Sequence, residues 1–121
     1  MYKRQAAVLD AIAARMVGPD GVLPGFDDGG DGGLFNGILA RYLADAAVRR
    51  PELAPVAVGL VLASADAAWR GRADVAGGPV SAHDWRRPAR GPRLGVPEAD
   101  LSVQLSAWML LEAAAVAAQV A

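Results

Sequence analysis

The chain has no cysteine and a single histidine, His83. Disulfide frameworks and thiolate metal sites are therefore excluded, and His83 has no second imidazole with which to share a metal. Neither sign of charge dominates: 12 basic residues stand against 13 acidic ones, for a net charge of -1. That removes the electrostatic case for a nucleic-acid partner or an anionic membrane surface. Aromatic residues are sparse, at 6%, and β-branched residues other than valine are scarce, which argues against an extensive sheet. No stretch of the chain has the pattern of a secretory signal. The longest apolar run, 103–121, is interrupted by Gln104, Glu112 and Gln119, and much of the rest is alanine. It reads as a buried helix, not a membrane span.

What is present is alanine and leucine in quantity, with 54% of residues hydrophobic. Both favour helix, so the fold class is all-α, in one small domain. Apolar residues at helical spacing predict four helices, over about 6–17, 33–49, 55–71 and 98–120. Gly18 stops the first, Pro51 blocks continuation of the second, and Pro55 and Pro97 stand at or near the starts of the third and fourth. The connection between the second and third is a few residues long, whereas the other two are long. In an up-and-down arrangement both long connections then lie at one end of the bundle. Long loops are uncommon inside compact domains and often carry function. The second and fourth helices are apolar over more than one face, as helices covered on two sides are.

The stretch GFDDGGDGGLFNGIL sets Asp27, Asp28 and Asp31 on a glycine loop that runs into the second helix. A calcium loop counted from Asp27 fails, because its third position is Gly29 and its twelfth is Ile38. Asp31 or Gly32 suits a helix N-cap. Capping does not explain why Asp27 and Asp28 stand side by side. Adjacent acids at a cleft bind sugar hydroxyls or serve as acid and nucleophile. Asn36 follows on the first turn, polar among apolar neighbours, and points either to solvent or to the cleft. On the second long connection, His83, Asp84 and Trp85 would make a sugar platform, with an aromatic face for C–H groups and acids for hydroxyls. The alternative is a basic loop anchored by Trp85. Gln104 and Ser106 fall near the same rim, and Glu112 about two turns deeper. A Ser-His-Asp triad lacks the glycine pattern of a nucleophile elbow. No cofactor and no metal is implied.

Three segments, DGGLFNGILARYLADAA, ADAAWRGRA and DLSVQLSAWMLLEAAA, resemble the C-terminal part of glycoside hydrolase family 76. The resemblance implies an (α/α)6 toroid with its cleft at the N-terminal ends of the inner helices. The implied activity is hydrolysis of α-1,6-linked mannan by two adjacent aspartates. It also implies a secreted or cell-surface parent protein. The family's catalytic pair sits in an aromatic-rich setting earlier in the toroid. Asp27–Asp28 is therefore not expected to be that pair, which would lie upstream. Asp27, Asp28, Asp31, Asn36 and Trp85 become candidates for the substrate-binding cleft wall. Asn36 stands where many members carry lysine. The opening MYKRQ resembles the translated read-through of a sequencing adapter. Residues 1–5 are accordingly expected to be non-native, and 6–121 to be the C-terminal portion of the domain. Its partners would be the polysaccharide and the missing N-terminal helices. A non-catalytic helical carbohydrate-binding or interaction module, or a different (α/α)6 polysaccharide-degrading enzyme, are the alternatives.

Overall fold

The computed structural model describes residues 2–15, 17–25, 31–91 and 96–121, excepting the side chains of Tyr2, Gln5 and Asp31. Among the described residues there are four α-helices: α1 (Tyr2–Arg15), α2 (Asp31–Arg49), α3 (Ala54–Arg70) and α4 (Leu101–Ala118). The all-α expectation holds, with one small addition. Strands β1 (Ala73–Val75) and β2 (Gly78–Val80) form an antiparallel hairpin in which Val75 pairs with Gly78 and Ala73 with Val80. Short 3-10 turns at Pro51–Leu53 and Pro97–Ala99 lead into α3 and towards α4.

Helix boundaries differ from the sequence expectation for local reasons. α1 begins at Tyr2, because Lys3 and Arg4 are good helix formers and nothing breaks the run. α4 begins at Leu101, later than expected. Asp100 adopts an extended conformation, and its carboxylate accepts from the Ser102 amide at 2.9 Å and the Ser102 hydroxyl at 2.7 Å. That is an N-cap, and it detaches Pro97–Ala99 as a separate turn.

The central contact joins α2 to α4, and α3 packs against both; α1 packs against α3. The α2–α4 seam is made of small residues. A Cβ on Gly33 would fall 2.2 Å from the Ser102 hydroxyl, and one on Gly37 would fall 2.6 Å from the Ser106 Cα. The Gly37 amide donates to the Ser106 hydroxyl at 2.7 Å. Contacts that advance together along both helices mean that α2 and α4 run parallel. The short link at Pro51–Leu53 reverses the chain into α3, so both long connections arrive at one end, as expected. The core gathers Leu43, Leu53, Val61 and Leu110 with a lattice of alanines.

Because the seam is occupied by small side chains, the bulky ones lie elsewhere. Ile38, Tyr42 and Val48 of α2 and Leu105, Trp108 and Val116 of α4 are exposed. They line an apolar groove of about 1130 Å³. By length and composition two segments, Pro51–Arg70 and Leu101–Ala118, would be able to cross a bilayer. Both pack against other helices of the chain.

Candidate functional site

The two long connections meet at the N-terminal ends of α2 and α4. Residues 18–25 are held by a chain of hydrogen bonds. The Gly21 amide donates to the Gly18 carbonyl at 3.1 Å, the Val22 amide to Asp20 at 3.2 Å, and the Leu23 amide to the buried Ser64 hydroxyl at 3.0 Å. The Asn36 side-chain amide donates to the Pro24 carbonyl. Gly25 then lies directly on the second connection: a Cβ there would sit 2.4 Å from the Asp84 Cα and 2.6 Å from the His83 carbonyl oxygen. Only glycine permits that approach.

The second connection is fixed as firmly. After the hairpin, the Ala89 amide donates to the Gly71 carbonyl at 2.7 Å, closing residues 71–89 into a loop. Gln104 on the first turn of α4 ties it to the bundle. Its amide accepts from the Ser81 amide at 2.9 Å and donates to the carbonyls of Ser81 at 2.9 Å and Glu98 at 3.1 Å. One side chain thus joins the end of β2, the 3-10 turn and α4.

Between these elements opens a polar cleft of about 1080 Å³, lined by Gly25, His83, Asp84, Arg87, Arg90 and Glu98 among others. Two carboxylates are built into its wall. Asp84 receives a bidentate clamp from Arg86, with Nε and Nη2 each 2.9 Å away, and the Arg86 amide at 3.1 Å. The Arg87 Nε lies 3.8 Å from the same carboxylate. Burial pushes the Asp84 carboxyl up, but the Arg86 hydrogen bonds and charge, with a smaller part from His83, outweigh it and hold it below the usual carboxylate value. Arg86 is correspondingly raised by its bond to Asp84. Glu98 is only 2% exposed. Arg90 reaches its carboxylate at 3.4 Å, and the His83 Nδ1 stands 4.0 Å away. Such a wall offers carboxylate acceptors beside guanidinium donors. An ionised Asp84 held by Arg86 is an acceptor, not a proton donor.

The residues singled out in the sequence fall in different places. Asp27 and Asp28 lie outside the described residues. Asp31 is the first residue of α2, and its side chain is likewise outside them. Asn36 is 5% exposed and bonded to Pro24; Trp85 is 3% exposed and packed into the hydrophobic core. His83 and Asp84 line the cleft, whereas Glu112 lines the apolar groove, where it accepts from the Trp108 indole at 3.3 Å. Arg87, Arg90 and Glu98 were missed. The only signal for them was a basic run, RRPAR, and an acid behind Pro97.

Neither a protein-family model nor a curated protein matches the chain. Among solved structures the chain is similar to the GH76A α-1,6-mannanase from Salegentibacter sp. HEL1_6, with a TM-score of 0.75 and 28% sequence identity. The match covers 95% of this chain and 32% of that enzyme's, so the chain spans about a third of its length. In fold and in sequence, then, these four helices resemble part of a glycoside hydrolase family 76 mannanase.

Proposed function

We propose that the chain is the C-terminal portion of a glycoside hydrolase domain acting on α-1,6-linked mannan. The observation that carries this reading is the match of nearly the whole chain to one third of an α-1,6-mannanase. Residues 6–121 would belong to an (α/α)6 toroid, with 1–5 foreign to it. The exposed apolar faces of α2 and α4 support the reading, since further helices of the same domain would cover them. The meeting of both long connections at the N-terminal ends of α2 and α4 supports a cleft at that end. Asp27, Asp28 and Asp31 would border its mouth and meet sugar hydroxyls. Asn36 and Trp85 would shape the wall from behind.

Hydrolysis of a glycosidic bond needs two carboxyl groups flanking the bond, one donating a proton and one stabilising or attacking an oxocarbenium-like carbon. In this reading that pair belongs to the part of the domain outside these residues. The chain alone would bind mannan without cleaving it. A polymeric substrate places the parent protein outside the cell or on its surface. The test is release of reducing ends from α-1,6-mannan by the isolated chain, alongside its retention on the same polymer. Retention without cleavage is expected. Turnover would promote Asp27 and Asp28 to catalytic residues, and retention on a different polysaccharide alone would overturn the substrate.

A further inference from the structure

We propose that the apolar groove between α2 and α4 is the interface of a symmetric, parallel dimer of this chain, in which Arg41 of each copy pairs with Glu112 of the other. The proposal does not depend on the carbohydrate reading, and it concerns the chain by itself. In a larger domain, helices of that domain would compete for the same face. The exposed surface is large enough. A standard interface takes roughly 800 Å² from each partner. Tyr42 is 68% exposed and Trp108 64%, so the two rings alone offer roughly 200–300 Å². Ile38, Val48, Leu105 and Val116 extend that surface along both walls. Such an association depends on concentration, and a dilute chain keeps its groove open to solvent.

Charge decides the occupant and its direction. The groove is lined by three charged side chains, Arg41, Asp45 and Glu112. Asp45 is taken by Arg49 at 2.9 Å. Among the described residues Arg41 has no ion partner, and Glu112 accepts only from the Trp108 indole at 3.3 Å. The α2 wall thus carries one unpaired cation and the α4 wall one unpaired anion, which is the self-complementary pattern a two-fold interface needs. Their heights match. Gly37 abuts Ser106, so Arg41, four residues on, is level with Leu110. Glu112 stands two residues further, about 3 Å along the axis. A two-fold axis along the groove lays α2 of one copy against α4 of the other, with all four helices running the same way. It brings Arg41 to Glu112 twice, and Tyr42 to Trp108 twice. A two-fold axis across the groove would instead lay α2 on α2. Arg41 stands midway along the α2 wall, which runs from Leu34 to Val48, so centred grooves would then set arginine against arginine. Like charges facing each other select against that arrangement. The parallel pair also sets both polar clefts at one end of the assembly.

The experiment is sedimentation velocity of the chain from roughly 1 µM to 1 mM, with circular dichroism to check the fold of each variant. A monomer–dimer equilibrium is expected. Arg41→Glu and Glu112→Arg each set like charges face to face at both contacts, and each alone is expected to weaken the dimer by about tenfold or more. Both side chains are exposed, so the fold should persist. An equimolar mixture of the two variants restores opposite charges at both contacts and is expected to dimerise as the unaltered chain does. That recovery separates a lost interface from a lost fold. A monomer at every concentration would overturn the proposal, leaving the face to helices of a larger domain and the carbohydrate reading untouched. A dimer indifferent to both substitutions would overturn the assignment to this groove, as would association that continues beyond two copies or a mixture that fails to recover.

Discussion

Gly37→Ala is the sharpest probe of the parallel α2–α4 seam. The added Cβ would lie 2.6 Å from the Ser106 Cα, 2.7 Å from its carbonyl oxygen and 2.8 Å from its hydroxyl. Two of those atoms are backbone, so no rotamer change relieves the clash and the helices must separate. Overpacking of this kind costs about 1–3 kcal/mol. Separation also stretches the 2.7 Å bond from the Gly37 amide to the Ser106 hydroxyl, worth roughly 1 kcal/mol. Alanine is favoured over glycine in a helix interior by about 1 kcal/mol. The last two effects nearly cancel, leaving a net loss of about 1–3 kcal/mol, set by the overpacking. Gly59→Ala is the matched control: it sits in α3 with nothing within 4 Å of its built Cβ. It keeps the propensity gain without the clash and should stabilise by about 0.5–1 kcal/mol. Urea unfolding followed by circular dichroism measures both. Opposite signs are expected. A Gly37→Ala chain as stable as the parent would refute the close seam, and with it the parallel arrangement that brings the two long connections together.

Two further predictions concern the second long connection and the outer faces of α2 and α4. Asp84 is held below its ordinary value in the folded chain, because the Arg86 bonds outweigh burial. Its contribution to stability is therefore complete above the unfolded carboxyl value, about 3.9, and is lost as pH falls through the lower folded value. Urea midpoints are expected to fall below about pH 4, with Asp84→Asn flattening that part of the curve; an unchanged slope would refute the clamp. Trp108 is 64% exposed and lines the apolar groove. The isolated chain should bind a hydrophobic dye such as anilinonaphthalene sulfonate. Trp108→Ser should reduce that binding while altering stability by no more than about 0.5 kcal/mol; undiminished dye binding would mean the groove is not the exposed surface.

Much of the architecture was readable because helical periodicity is local. Leu39, Leu43 and Ala46 announce α2, and Val58, Leu62 and Ala65 announce α3, whatever they pack against. The convergence of the long connections was readable because one short link fixes the parity of a hairpin. The hairpin strands were not, since three residues are too few to display alternation. The role of Asn36 was hidden for a different reason, and that of Trp85 stood only as the alternative reading, an anchor for the basic loop. The partner of Asn36 is a carbonyl twelve residues earlier, and Trp85 stands among His, Asp and Arg, yet the loop folds it under into the core. Both are non-local facts. Glu98 read as the start of a helix because Pro97 precedes it; the Asp100 cap moved that start and left the acid as a buried support for the cleft.

The cleft and the groove have a common cause in the small-residue seam. Gly33 and Gly37 against Ser102 and Ser106 let α2 and α4 approach closely with parallel axes, which sets their N-terminal ends side by side. Both incoming connections must then share that end, and Gly25 can press on Asp84. The same economy on the inner faces leaves Ile38, Tyr42, Leu105 and Trp108 on outer ones. A self-contained four-helix bundle would turn those bulky side chains inward and keep alanine and serine for the outside. The opposite distribution is what a pair of helices needs when it is packed from a second side. The polar mouth and the unburied apolar face are thus two ends of one packing decision, made where glycine meets serine.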